Sequence, residues 1–381
     1  MALKKDNHSV DNGDEKFSKH EISSFDSKKL ENKTEIGSQT FEVSKGNDNE
    51  NGFINFGFNQ SILNSLRNKG YKNPTPIQKA AIPELMLGRD LLGQAQTGTG
   101  KTAAFALPLI EKLADNKELK AKVLVMTPTR ELATQVAESF KSYSSESSNF
   151  KTVAIYGGTD YRNQISALKR KVDVVVGTPG RIMDHIRQGT FKIKDISCLV
   201  LDEADEMLNM GFKEDIDLIL EGTNENKQIL LFSATMPKEV LKISKNYMKK
   251  PKRIEVGSKN EGAKDIEHNY YLVSNVRDKY QALRRICDIN PSIYGIVFCR
   301  TRRESKDISS KLLQDGYNAD SLNGDLSQSQ RDHVMRRFRK NQIQLLVATD
   351  VAARGLDVND LSHVINYNLP DDNQTYIHRS G

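Results

Sequence analysis

The stretch Ala95-Gln96-Thr97-Gly98-Thr99-Gly100-Lys101-Thr102 decides the fold of this chain. It follows the apolar pair Leu91-Leu92 and leads into Ala103-Ala104-Phe105-Ala106-Leu107, so it reads as a strand, a glycine-rich turn and the start of a helix. A phosphate-binding loop requires that context, with successive backbone N–H groups aimed at a polyphosphate where the helix macrodipole is positive. Lys101 then reaches the β and γ phosphates, and Thr102 sets its hydroxyl on a magnesium ion. The eight residues fit G-x-x-x-x-G-K-[ST] except at the first position, where alanine stands for glycine. The plain alternative is a Gly/Thr-rich surface turn with a stray lysine. Gly-Lys-Thr between strand and helix is the more specific signal.

Outward from this loop, apolar runs at 91–95, 122–127, 152–156, 172–177, 197–201 and 228–233 alternate with helical patterns. Runs apolar on both faces and separated by helices predict an α/β fold with a parallel, doubly wound sheet. Ligands of such sheets sit outside the carboxyl ends of the strands. The conspicuous residues fall at those ends: Ala95, Thr127-Pro128, Gly157-Gly158, Thr178-Pro179-Gly180, Asp202 and Ser233. The segment 257–265 begins with small and charged residues free of apolar periodicity and reads as a linker. A second domain follows, with strands expected at 269–273, 293–299, 345–349 and 363–367. It carries no second phosphate loop, so a single cleft shared by two lobes is expected.

A length of 381 residues and a hydrophobic content of 37% suffice for two packed cores and a tail. Residues 1–50 hold 8 Lys against 11 Asp and Glu, a net charge of −3 that leaves +9 on the remainder. That leader is too polar to offset its chain entropy and is expected to be disordered. The basic body suits a polyanionic partner, although many soluble proteins carry similar charge. Met1-Ala2-Leu3-Lys4-Lys5 is not followed by an apolar segment, and no run approaches a membrane span. A cytoplasmic protein without a membrane partner is expected. Cys198, Cys287 and Cys299 lack metal-ligand spacing and read as buried, reduced thiols.

After the run Cys198-Leu199-Val200-Leu201 comes Asp202-Glu203-Ala204-Asp205. An acid at the end of a parallel strand, downstream of a phosphate loop, holds magnesium directly or through water. Asp202 is assigned that role, and Glu203 orients and deprotonates an attacking water. Alone, the same acids read as a helix N-terminus favoured by its dipole.

These stretches together resemble the DEAD-box RNA helicases of superfamily 2, whose name-giving residues stand at Asp202 to Asp205. The similarity runs from Phe53 to the last residue. It is carried by Gly70-Tyr71, Pro74-Thr75-Pro76-Ile77-Gln78, Pro128-Thr129-Arg130-Glu131-Leu132-Ala133, Gly157-Gly158, Thr178-Pro179-Gly180-Arg181 and Ser233-Ala234-Thr235. Further along stand Val297-Phe298-Cys299-Arg300-Thr301, Gln328 to Arg331, Ala348-Thr349-Asp350 through Arg354-Gly355-Leu356-Asp357, and His378-Arg379-Ser380-Gly381.

The resemblance implies two tandem RecA-like doubly wound parallel-sheet domains, 51–256 and 266–381, joined by the linker 257–265. It implies an ATP-dependent, monomeric RNA helicase using ATP and Mg2+ that locally separates duplexes. Gln78 is implied to read the adenine edge and Phe53 to stack on the base, with Asp357 on the ribose. Taken alone, Gln78 reads as a surface glutamine and Phe53 as a core aromatic. Thr129, Arg130, Gly157, Gly158, Thr178, Arg181, Gln328, Arg331 and Thr349 are implied contacts to the RNA backbone, which fix position without reading sequence. Asp205, Ser233, Thr235 and Arg379 are implied to couple nucleotide state to lobe closure. The basic run Arg336-Arg337-Phe338-Arg339-Lys340 reads as a solvated helix face.

In the family the last motif continues past His378-Arg379-Ser380-Gly381 into two further arginines, at least one of them an arginine finger. A finger is worth about 10³ to 10⁵ in rate. The second domain is therefore expected to be incomplete, the chain a fragment of a longer protein, and hydrolysis by it weak or lost.

Overall fold

Parallel pairing follows directly from the strand compositions. In Val123–Met126, Val174–Gly177 and Cys198–Leu201 every residue is buried, which only strands covered on both faces permit. The computed structural model describes residues 52–96, 98–114, 122–146, 149–170, 172–256, 266–353, 356, 358 and 360–380. The tail 1–50, the linker 257–265, Thr97 and Asp357 therefore lie outside the described residues.

Among the described residues the first lobe holds β1 (Leu91–Gln94), β2 (Val123–Met126), β3 (Thr152–Ile155), β4 (Val174–Gly177), β5 (Cys198–Leu201), β6 (Gln228–Ser233) and β7 (Lys252–Glu255). They form one parallel sheet in the order β3-β4-β2-β5-β6-β1-β7. The second lobe holds β8 (Gly295–Cys299), β9 (Ala319–Leu322), β10 (Leu345–Thr349) and β11 (His363–Asn366), parallel in the order β11-β8-β10-β9. The chain thus carries two RecA-like α/β domains.

Helices cover both faces of each sheet. In the first lobe α1 (Gln60–Asn68), α2 (Pro76–Met86), α3 (Lys101–Leu113) and α4 (Arg130–Tyr143) enclose a core around Phe105, Phe140 and Phe232. On the other face, α5 (Tyr161–Leu168), α6 (Pro179–Arg187), α7 (Ala204–Asn209), α8 (Lys213–Gly222) and α9 (Lys238–Tyr247) accompany a core that includes Ile182, Met207, Ile216 and Ile243. In the second lobe α10 (Asp278–Ile289) and α11 (Arg302–Gln314) cover one side and α12 (Gln328–Arg339) the other, with α13 (Asp350–Ala353) and α14 (Asn373–Ser380) after β10 and β11. Cys198, Cys287 and Cys299 are free and buried, and burial pushes their thiols up to about 12, 11 and 12.

The strand order divides the first sheet into two working halves. β6 lies between β1 and β5, so the phosphate loop after β1 and Asp202 after β5 stand on either side of Ser233 at the end of β6. β2, β4 and β3 lie beyond β5, so Thr129, Thr178 and Gly157 follow strands of the other half.

Two strands escape the sequence pattern and one expected strand does not form. β7 (Lys-Arg-Ile-Glu) and β9 (Ala-Asp-Ser-Leu) are edge strands with few apolar residues, because an edge buries little. The run 269–273 has no regular secondary structure and joins no sheet, with Tyr270 85% and Leu272 91% exposed. An apolar run becomes a strand only where a neighbour offers its N–H and C=O groups, and among the described residues none pairs with it.

Candidate functional site

The turn after β1 is built for an anion. Gly98 and Gly100 have φ of +76° and +88°, a left-handed backbone that glycine adopts without steric cost. Gly100 caps α3, whose first residues are Lys101 and Thr102. Ala95 is buried and its N–H donates to the Ser233 carbonyl at 3.1 Å. Thr99 Oγ1 donates to the Gln96 carbonyl at 2.7 Å and closes the turn. Lys101 is 6% exposed, and among the described residues its Nζ has no hydrogen-bond partner.

Across β6 stands Asp202, 3% exposed, whose Oδ1 likewise lacks a partner. Burial pushes its carboxyl above the usual range, opposed by the Lys101 charge. Glu203 follows with φ of +55°, the left-handed region that a non-glycine residue enters at a cost of about 1–3 kcal/mol. Burial raises Glu203 to about 7; Lys101 opposes the shift, and Asp202, Asp205 and Glu206 add to it. A carboxyl poised there is suited to accept a proton at neutral pH. The next acid is tied to β6: Thr235 donates to Asp205 Oδ2 from its N–H at 2.9 Å and its hydroxyl at 2.7 Å, and Asp205 N–H donates to Ser233 Oγ at 3.3 Å.

Those orphaned atoms also answer which group the site fits. A buried ammonium and a buried carboxylate oxygen without partners are costly unless a ligand completes them. A magnesium-bound polyphosphate would do so, with Lys101 placed to meet the phosphates and Thr102 and Asp202 placed to hold the metal.

The residues expected to read the base are differently occupied. Gln78 is 1% exposed, accepts from Thr75 N–H at 2.9 Å and donates to the Gly100 carbonyl at 3.1 Å. Its amide therefore braces the phosphate loop, and reading a base would require exchanging those bonds. Phe53 is 0% exposed and packs edge-on against Phe56 and Tyr71. It has no open face for a base unless its segment moves.

The other half of the sheet gathers a second constellation. Thr129 caps α4 with its side chain accepting from Leu132 N–H, and Thr178 precedes Pro179 at the start of α6. Gly158 has φ of +79°, and a Cβ there would lie 2.2 Å from Arg130 Nη1. A Cβ on Gly157 would lie 3.5 Å from Arg130 Nη2 and 4.0 Å from Arg181 Nη2. Two guanidinium groups thus meet over a bare glycine turn, which suits a phosphodiester backbone.

The second lobe reaches the same place. Arg130 Nη1 donates to Gln328 Oε1 at 3.0 Å, and Arg331 Nη2 donates to Glu131 Oε1 at 2.7 Å. Thr349 ends β10, 8% exposed. His378 Nδ1 lies 3.9 Å from Glu206 Oε2 of the first lobe. Arg379 is engaged within its own lobe: it donates to both oxygens of Asp350 and to the Asn366 side chain and the Asn368 carbonyl, with its guanidinium 4.8 Å from the centre of the Phe298 ring. Of these two neighbours it is His378 that approaches the first lobe, while the hydrogen-bond partners of Arg379 among the described residues lie in its own lobe.

Sequence reasoning missed Tyr161, Gln164 and His185. His185 is 0% exposed and its ring stacks on Tyr161 at 4.3 Å between centroids. The available signal was spacing. Arg181 and His185 stand four apart on α6, and Tyr161 and Gln164 three apart on α5, so each pair shares a helix face.

Family models match the chain twice: the DEAD/DEAH box helicase over residues 75–243 and the helicase conserved C-terminal domain over residues 278–381. The ATP-dependent RNA helicase DeaD of Escherichia coli (strain K12) is 44% identical over 333 residues, 87% of this chain and 52% of that protein. The chain thus spans about half the length of that relative. A probable ATP-dependent RNA helicase of Methanocaldococcus jannaschii is 47% identical over 330 residues, covering 86% of this chain and 87% of that protein. Among solved structures, Saccharomyces cerevisiae Dbp5 bound to RNA and ADP BeF3 has a TM-score of 0.79 at 29% identity, covering 86% of this chain and 85% of that one. A DEAD box protein from Methanococcus jannaschii has a TM-score of 0.53 at 45% identity, covering 86% of this chain and 88% of that one. No helix among the described residues is long and apolar enough to cross a membrane.

Proposed function

As this chain belongs to the DEAD-box helicase family, we propose that it binds ATP with Mg2+ and single-stranded RNA between its two lobes and separates short RNA duplexes by closing on one strand. The observation that carries the nucleotide half is a pair of buried atoms without hydrogen-bond partners among the described residues, Lys101 Nζ at the start of α3 beyond β1 and Asp202 Oδ1 just after β5, the two strands that flank β6. In this reading Lys101 and the backbone of residues 96–101 hold the triphosphate, Thr102 and Asp202 hold the metal, and magnesium neutralises charge on the phosphates. Glu203 orients a water and takes its proton. Asp357 and Thr97, the former on the ribose and the latter in the phosphate loop, belong to the same proposal.

The RNA backbone runs over Arg130, Gly157, Gly158 and Arg181 on the first lobe and Gln328, Arg331 and Thr349 on the second. Contacts to sugar and phosphate leave sequence unread, and only a 2′-OH contact separates RNA from DNA. Each ligand binds the closed arrangement better than the open one, so each tightens the other. Ser233 and Thr235, joined to Asp205, carry the change from one half of the sheet to the lobe interface.

The test is Glu203→Gln. The variant is expected to retain an ATP-dependent complex with a labelled uridine oligonucleotide, and any measured phosphate release is expected to fall by about 10²–10⁴. A variant that binds ATP but holds no RNA would overturn the reading.

A further inference from the structure

Glycine turns have no side chains with which to hold themselves, so a turn that must present N–H groups to a phosphate needs support from behind. Resting on the RNA-interface reading above, we propose that Tyr161, Gln164 and His185 form a positioning cluster. It fixes the Gly157-Gly158 turn and the Arg181 guanidinium relative to one another and sets RNA affinity without touching RNA.

Gln164, 7% exposed, holds the turn at both ends: its Nε2 donates to the Tyr156 carbonyl at 3.0 Å and to Thr159 Oγ1 at 2.6 Å. Tyr156 and Thr159 bracket Gly157-Gly158. The amide oxygen of Gln164 faces His185 Nε2 at 3.3 Å. Because a carbonyl can only accept, the amide nitrogen must serve Tyr156, and the amide oxygen must then receive a proton from His185 Nε2. His185 Nδ1 lies 2.8 Å from Thr190 Oγ1, whose hydroxyl also donates to the His185 carbonyl at 3.1 Å, so both ring nitrogens are engaged. Burial, with the Arg181 charge nearby, holds the His185 pKa below the ordinary value.

Tyr161 links this frame to the cation. Its ring lies nearly parallel to the His185 imidazole, 11° between planes, and the Arg181 guanidinium carbon sits 5.1 Å from its centroid. Arg181 Nη1 is buried and has no hydrogen-bond partner among the described residues, while its Nε lies 3.6 Å from Asp184 Oδ2. A guanidinium laid on a ring and left with a free N–H is held ready for an anion, and this preorganisation lowers the ordering cost of binding.

The test compares Tyr161→Leu, Tyr161→Phe, Arg181→Ala and the double variant Tyr161→Leu/Arg181→Ala. It measures binding of a labelled uridine oligonucleotide and, separately, of a nonhydrolysable ATP analogue with magnesium. Tyr161→Leu is expected to weaken RNA binding about tenfold, the size of a desolvated cation–π contact, and to leave nucleotide binding unchanged. Tyr161→Phe should match the native chain, and Tyr161→Leu should add little once Arg181 is gone. Additive effects, equal loss of nucleotide affinity, or no effect beside a weakened Arg181→Ala would overturn the positioning role. An Arg181→Ala variant with native RNA affinity would overturn the RNA-interface reading itself. Should Tyr161→Leu fail to fold, Gln164→Leu removes the brace on Tyr156 and Thr159, and weakened RNA binding with intact nucleotide binding is again required.

Discussion

Arg331 of the second lobe grips Glu131 of the first, donating to Glu131 Oε1 from Nη2 at 2.7 Å and from Nε at 3.2 Å. Beside this pair Arg130 donates to Gln328. Glu131 is an acid placed among candidate phosphate contacts. Uncompensated, it repels a polyanion; neutralised by Arg331, it does not. On the proposed reading, attraction for RNA would therefore rise as the lobes meet.

The first prediction follows from that charge relation. Glu131→Gln should raise RNA affinity without nucleotide and shrink the extra affinity gained with an ATP analogue, a coupling whose usual size is about 5- to 150-fold. Binding titrations at one fixed salt concentration measure both values. A coupling factor equal to that of the native chain would show that the pair carries none of it.

The left-handed backbone at Glu203 makes a second prediction, on stability rather than rate. Glu203→Gly relieves a conformation costing about 1–3 kcal/mol and removes a half-buried carboxyl, against an unfolded-state entropy penalty of about 0.5–1 kcal/mol. Thermal unfolding should show a midpoint no lower than that of the native chain, although the candidate base is gone. A clear drop in midpoint would mean that Glu203 supports the fold in some other way.

Much of this site was legible because its chemistry is local. The phosphate loop, its helix and the acid after a buried strand are contiguous, and six of the first lobe's strands follow from runs such as Val174–Gly177. The stack of His185 on Tyr161 joins residues distant in sequence, so no window of sequence contains it. Phe53 and Gln78 illustrate the converse. Their types suit an adenine site, but burial engages Phe53 in the core and Gln78 in bracing Gly100. The edge strands β7 and β9 escape the pattern because an edge needs few apolar residues, and 269–273 is not a strand because an apolar run says nothing about whether a neighbouring strand exists.

A third prediction concerns ligand and metal. Among the described residues Lys101 Nζ and Asp202 Oδ1 have no hydrogen-bond partner, so supplying one should stabilise the folded chain. ATP with magnesium at about 100 times its dissociation constant adds about 2.7 kcal/mol. The unfolding midpoint should rise, rise less when a chelator removes the metal, and stay still in Lys101→Ala. An equal rise in that variant would exclude Lys101 from the phosphates.

The fourth prediction is a pH dependence. His185 has a folded pKa lowered by burial, then by Arg181, with Asp184 opposing. The unfolded state therefore binds more protons than the folded state as pH falls through the ordinary histidine value of about 6.5. Stability conferred by neutral His185 is present above that pH and declines below it. Denaturant unfolding should show a shallower loss between neutral and mildly acidic pH in His185→Gln than in the native chain. Identical slopes would mean that His185 titrates alike in both states.

The proposed function requires one cleft that binds adenine nucleotide and RNA together. The most direct measurement is the dissociation constant of a nonhydrolysable ATP analogue with magnesium, with and without a saturating uridine oligonucleotide. RNA should tighten nucleotide binding by about 5- to 150-fold, and the nucleotide should tighten RNA by the same factor. Equal dissociation constants in the two conditions would contradict it.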